Sequence, residues 1–205
     1  MTYEKESRDR LIECAKKEFL EKGFTKASLR SISAAAGLTT GAIYFFFKDK
    51  DGLFSAVVKP TVDRITSIIY EHYAAENDED FSTYVHSEGD HDDISEKLIP
   101  ALYDDLDAVQ ILLGRSAGSS YEHFVDNIIS MTEQFYFRLA EKYAAVCPGK
   151  RVNMYMLHWF CHVQINAFTH LIAHVSDEQT ALREIKPVMD MLIDAWMKYI
   201  LEDDI

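Results

Sequence analysis

A chain of 205 residues has room for one large domain, or for a small domain joined to a medium one. Its 48% of hydrophobic residues is ordinary for a folded soluble protein and excludes overall disorder. The net charge of −13 argues against a uniformly basic nucleic-acid binder but hides a split: residues 1–60 hold 11 Lys+Arg against eight Asp+Glu, and residues 61–205 hold 10 against 26.

Helical periodicity dominates the chain, and no run alternates as a half-buried strand would. A first helix is expected from about Ser7 to Lys22, with Leu11, Cys14, Ala15, Phe19 and Leu20 as its apolar stripe and Gly23 at its C-terminal cap. Ser28 caps a short second helix, Leu29 to Ala36, which Gly37 ends. Thr39 caps a third, Thr40 to about Phe47, and Asp49 caps a fourth that starts near Lys50 and runs toward Ala75. The segment from Glu76 to Asp93 holds eight acidic residues and no Lys or Arg, and reads as a solvated loop. Within it Asp90-His91-Asp92-Asp93 offers cation ligands without a ligand spacing. Helices follow at about 94–104, with Pro100 inside, and at 106–116, 120–146, 151–175 and 178–201.

From Val152 to Ser176 there is no Asp, Glu, Lys or Arg, but four His, two Asn and a Gln make a membrane span expensive. A helix buried in a core or at a subunit interface is expected instead. Cys14, Cys147 and Cys161 are odd in number and far apart, which argues against a disulfide framework or a CxxC zinc site. The charged opening MTYEKESRDR has no apolar core, so no secretory signal and a cytoplasmic location are expected.

Two short helices joined by a Gly-containing turn after a longer helix are the arrangement of a helix-turn-helix. Ala34, Ala35 and Ala36 let the two helices cross closely, Gly37 supplies the sharp turn and Leu38 fills the space beneath it. Leu29, Ile32, Ile43 and Phe47 supply the apolar contacts to the first helix. The third helix then presents its N-terminal residues to base edges in the major groove.

The stretch GFTKASLRSISAAAGLTTGAIYFFFKDKDGLFSAVV, Gly23 to Val58, resembles the TetR family of repressors. The resemblance rests on Gly-x-x-x-x-Ser, Ala-Ala-Gly-Leu, Thr-x-Gly-x-Ile-Tyr and Phe-Lys-x-Lys-x-x-Leu. It implies an all-α fold, with a helix-turn-helix DNA-binding domain over 1–50 and a helical ligand-sensing and dimerisation domain over 51–205. It also implies a homodimer, a palindromic double-stranded DNA operator, a small-molecule effector and no cofactor. Carried over residue by residue, Arg30, Thr39, Thr40, Gly41 and Ala42 meet bases or phosphates, and Tyr44 and Lys50 meet phosphate, with Lys48 as a second phosphate contact. Phe46 stands where the family more often has His or another polar residue. It is expected to face away from the core and to stack on sugar or meet a thymine methyl.

Aromatics after Asp93 supply core and, among them, an apolar effector pocket, for which Tyr103, Tyr121, Phe124, Phe137 and Trp159 are the candidates. The last two helices are the dimer candidates through His158, His162, Ile165, Phe168, Val188, Leu192 and Trp196. The pairs His158/His162 and His170/His174 have chelating i,i+4 spacing, yet neighbour-bonded interface histidines are the commoner outcome, and no metal is expected. One alternative makes Gly114-Arg115-Ser116-Ala117-Gly118 the nucleophile elbow of a serine hydrolase, after the apolar run Val109 to Leu113 and with Asp126 and His158 following. It needs a parallel sheet for which the sequence offers no strands. A further alternative is a helical ligand-binding protein without DNA activity.

Overall fold

The computed structural model describes residues 3–78 and 93–204. Within them the all-α expectation is met by nine helices: α1 (Tyr3–Lys26), α2 (Leu29–Ala35), α3 (Thr40–Phe47), α4 (Lys50–Asp78), α5 (Asp93–Asp104), α6 (Leu106–Gly114), α7 (Phe124–Val146), α8 (Met154–His174) and α9 (Glu178–Tyr199). The cluster Asp90-His91-Asp92 and most of the acidic segment lie outside the described residues.

The chain forms two compact units. The first takes in Met1–Arg64 and Asp104–Phe124. It therefore reaches past residue 50 into α4, and it recruits α6 and the residues after it. Leu11, Ala15 and Phe19 recur every four residues on α1 and are fully buried, as the apolar stripe requires. Ile32, Ile43, Phe47, Leu53, Phe54, Val57 and Val58 join them, and so do Ile111 and Leu112 of α6. Phe54 is the hub, with its ring edge-on to Phe19 at 4.9 Å and to Phe24 at 5.2 Å. Each fully buried side chain of this size stabilises the unit by roughly 1.5–3 kcal/mol.

Gly23, at the expected end of the first helix, has φ 72 and ψ 166, a conformation open only to glycine. It kinks α1, and the helical turn continues to Lys26.

The second unit comprises Ile65–Tyr103 and Val125–Ile205. Its last two helices are started by side-chain caps. Asn153 Oδ1 accepts from the Met156 amide at 3.0 Å to open α8, and Asp177 Oδ1 accepts from the Thr180 amide at 2.9 Å to open α9. The Thr180 backbone and hydroxyl hold the Asp177 carboxyl below the usual carboxylate range. One feature overturns the strand-free expectation. Strand β1 (Lys150–Val152) pairs antiparallel with β2 (Leu201–Asp203), in the register Lys150↔Asp203, Arg151↔Glu202 and Val152↔Leu201. Lys150–Asp203 at 2.6 Å and Arg151–Glu202 at 2.9 Å are cross-strand ion pairs. Three residues are too few to leave an alternating pattern in sequence. No helix among the described residues is long and apolar enough to cross a membrane, so the uncharged stretch in α8 is an ordinary helix with a buried face.

Candidate nucleic-acid interface

The interface is built from α2, a four-residue turn and α3. Ser28 Oγ accepts from the Ser31 amide at 3.3 Å and starts α2, as expected. In the turn, Gly37 takes φ 66, and the Leu38 amide donates to the Ser33 carbonyl at 2.9 Å. Leu38 packs partly buried against the core. Thr39 occupies the cap position of α3, but its side chain makes no capping bond, contrary to expectation. Thr39 is exposed. Thr40 is half-buried, with its hydroxyl 3.3 Å from that of Ser33.

An α-helix turns about 100° per residue, so burying Ile43 and Phe47 on one side of α3 fixes the other side. Gly41, Tyr44, Phe45 and Lys48 are exposed, Tyr44 by 56% and Phe45 by 74%. Ala42 is half-buried. Phe46 is half-buried too and packs against the core, which corrects the expectation that it faces outward. The outward aromatic is Phe45, about 180° from the mean direction of Ile43 and Phe47. The same arithmetic on the sequence would have found it. With eight residues, α3 is about 12 Å long at 1.5 Å per residue, close to the width of a major groove.

Cations surround this face. Arg30 is exposed on α2, and Lys48 ends α3 with the unusual φ of 72. Lys50 opens α4 and is held in place: its Nζ donates to the Thr25 carbonyl at 3.1 Å and lies 4.9 Å from the centre of the Phe24 ring. Partial burial pushes its ammonium pKa down, while Glu18 pulls it up. Glu18 itself accepts from the Ser28 amide at 3.1 Å and from Lys22 at 3.0 Å, fastening α1 to the start of α2.

Residues 11–57 match the family described as "Bacterial regulatory proteins, tetR family". The match to that family is confined to this N-terminal segment. Over 69 residues the chain is 38% identical to the HTH-type transcriptional regulator AcrR of Shigella flexneri, a match covering 34% of this chain and 32% of that protein. Over 53 residues it is 40% identical to the HTH-type transcriptional repressor BepR of Brucella suis biovar 1, covering 26% of this chain and 25% of that protein. The match thus spans about a third or less of the length of these relatives. The fold extends further. A transcriptional regulator of the TerR/AcrR family from Aquifex aeolicus VF5 superposes with a TM-score of 0.61 at 20% identity, over 91% of this chain and 99% of that one. NalD, the secondary repressor of the MexAB-OprM multidrug efflux pump in Pseudomonas aeruginosa, does so with a TM-score of 0.59 at 20% identity, over 91% and 95%.

The hydrolase alternative fails on local structure. Val109 to Leu113 lies within α6, so the elbow has no strand to spring from. Ser116 is buried. Its neighbours brace the reading head: the Phe24 amide donates to the Arg115 carbonyl at 2.8 Å. Burial pushes the Cys161 thiol up to about 12, so that cysteine is no nucleophile near neutral pH.

The pocket candidates do not converge. Tyr121 and Phe124 pack against the core of the first unit, and Trp159 is 48% exposed. Tyr103 is half-buried, with its hydroxyl donating to the Val175 carbonyl at 2.8 Å. Phe137 is half-buried on α7. A cavity of about 30 Å³ lies elsewhere in the second unit, lined by Tyr136, Phe160, Gln164, Met189, Leu192, Ile193 and Trp196. Gln164 is buried there, and among the described residues its Oε1 accepts no hydrogen bond.

Of the dimer candidates, Phe168, Leu192 and Trp196 are buried within their own chain. His162, Ile165 and Val188 are half-buried, and His158 is exposed. Sequence reasoning missed the outward apolar side chains of these helices, Tyr155 and Met191, which are strongly exposed.

Proposed function

We propose that this chain is a transcription regulator that binds a palindromic operator as a homodimer in the cytoplasm and represses until a small molecule releases it. The observation that carries the reading is the face of α3, where Gly41, Tyr44, Phe45 and Lys48 stand exposed opposite the buried pair Ile43 and Phe47. Arg30, Thr39, Thr40, Ala42, Lys50 and the partly turned-in Phe46 complete the contact set. Small residues at 41 and 42 allow close approach to base edges, and the cations and hydroxyls fix the register on phosphate. A two-fold dimer supplies two such helices about 34–36 Å apart, one turn of the duplex. The names of AcrR and BepR support regulation as the activity.

The cavity bounded by Gln164, Phe160 and Tyr136 is our choice of effector site. At about 30 Å³ it is small beside the roughly 300–1,000 Å³ of an ordinary ligand pocket, and in this reading an effector enlarges it by parting the helices that line it. In this reading that spreading is passed along α4, changes the separation of the two recognition helices and ends simultaneous docking.

The test titrates the full-length protein with a palindromic duplex selected from random DNA, at several salt concentrations. Lys48→Ala should weaken binding to every sequence and reduce the salt slope by about 1. Thr40→Ala should also change the preference among operators. Absence of any salt-sensitive DNA binding would sink the reading in favour of a helical carrier.

A further inference from the structure

Outside the reading head, one cluster gathers metal-ligand chemistry from two helices. His158 and His162 stand one turn apart on α8, with ring centres separated by 4.4 Å. Glu133 comes from the middle of α7, and its Oε1 is hydrogen-bonded to His158 Nδ1. One ligand atom from each residue lies within 4.8 Å of the other two. The other histidine pair of α8, His170 and His174, has rings as close, with centres 4.1 Å apart. Among the described residues no third ligand atom joins it.

We propose that Glu133, His158 and His162 form a binding site for a divalent transition metal, best matched by Zn²⁺. Two imidazole nitrogens and one carboxylate oxygen are the donor set that borderline cations such as Zn²⁺ favour, and magnesium and calcium prefer all-oxygen shells. Bonds of about 2.0–2.1 Å at tetrahedral angles place ligand atoms roughly 3.3 Å apart. Side-chain rotations close the remaining gap, because the His158 and Glu133 side chains are partly open to solvent, at 63% and 29% exposed. That openness also leaves the fourth position to water. A simple ion pair accounts for His158 and Glu133 alone. Helical i,i+4 spacing sets His162 beside His158, and it is the carboxylate of Glu133, brought from α7 to within 4.8 Å of both imidazoles, that makes the pair a three-ligand cluster. The site is independent of the DNA-binding reading and stands or falls without it.

The test takes full-length protein stripped with a chelator and titrates it with Zn²⁺ by calorimetry and with Co²⁺ by visible absorption. One metal per chain is expected, with the intense d–d bands of a four-coordinate site containing nitrogen ligands. Glu133→Gln and His162→Gln should each weaken binding by at least the roughly 10–100-fold that loss of an outer partner costs. His170→Gln with His174→Gln should leave it unchanged. Circular dichroism of each variant separates lost ligation from lost folding, and the cobalt spectrum of the unaltered protein carries the test if a variant misfolds. Equal uptake by the unaltered protein and the Glu133/His158/His162 triple variant would overturn the assignment. So would loss confined to the His170/His174 variant, or no uptake by the unaltered protein at millimolar metal.

Discussion

Thr25 Oγ1 donates a hydrogen bond of 2.8 Å to the carbonyl of Ala117, 92 residues away in sequence. The carbonyl of the same threonine accepts from Lys50. The turn that follows α6, residues 115–118, thus braces the residue that positions a proposed phosphate contact. Its glycine, Gly118, has φ 87, and a Cβ there would lie 3.1 Å from Thr25 Oγ1. Gly118→Ala should therefore cost at least the roughly 1–2 kcal/mol of a left-handed conformation, and Thr25→Val about 0.5–1.5 kcal/mol for the lost hydrogen bond. Urea denaturation of both variants measures this, and unchanged midpoints would disprove the bracing role.

A second glycine sets the junction of α3 and α4. A Cβ on Gly52 would sit 2.0 Å from the carbonyl oxygen of Phe47, a backbone atom that cannot swing aside. The Gly52 amide is meanwhile tied to Asp49 Oδ1 at 2.8 Å. Gly52→Ala should destabilise by more than the roughly 1–3 kcal/mol of ordinary overpacking and should abolish DNA binding, although no DNA contact is assigned to it. A variant that melts and binds like the unaltered protein refutes the geometry.

The adjacent phenylalanines of α3 separate stability from binding. Phe45 is exposed, so Phe45→Ala should leave stability within about 0.5 kcal/mol and weaken operator binding. Phe46 packs partly against the core, and Phe46→Ala should cost about 1–2 kcal/mol, short of the roughly 3–5 of a fully buried ring. Melting curves paired with anisotropy titrations distinguish the two, and reversed effects would return Phe46 to the outward role expected from sequence.

Gln164 makes a prediction of opposite sign. Its buried Oε1 has no hydrogen-bond partner among the described residues, and an unsatisfied buried acceptor costs about 1–3 kcal/mol. Gln164→Met keeps much of the volume and removes the polar atom, so it should raise stability by about 1 kcal/mol. It should also leave DNA binding intact and blunt release by any effector. A fall in the unfolding midpoint would show that the amide has a structural partner after all.

The reading head was legible in sequence because its determinants are local. Ser28 caps one helix, Gly37 takes the conformation only glycine adopts cheaply, and Ile43 and Phe47 recur at helical spacing. Phe45 was equally legible but masked by the triplet Phe45-Phe46-Phe47, in which composition says nothing and only angular position counts. What sequence could not show is long-range. Nothing near Ile111 and Leu112 announces that they complete a core begun at Leu11. Glu133 lies 25 residues from His158 on another helix. Burial of Phe168, Leu192 and Trp196 within their own chain was hidden for a related reason: aromatic and apolar content identifies what can be buried, but not what buries it.

That long-range closure has a cost during biosynthesis. The first 64 residues emerge from the ribosome with Phe19 and Phe54 still lacking Ile111 and Leu112. At about 5–20 residues per second, the 60 residues from Arg64 to Phe124 take roughly 3–12 s to arrive. Through that interval the nascent chain shows an unfinished apolar surface, the kind that chaperones bind. A chain cut short before α6 therefore lacks part of the core of its own first unit, so completing that unit depends on translation running through Leu112.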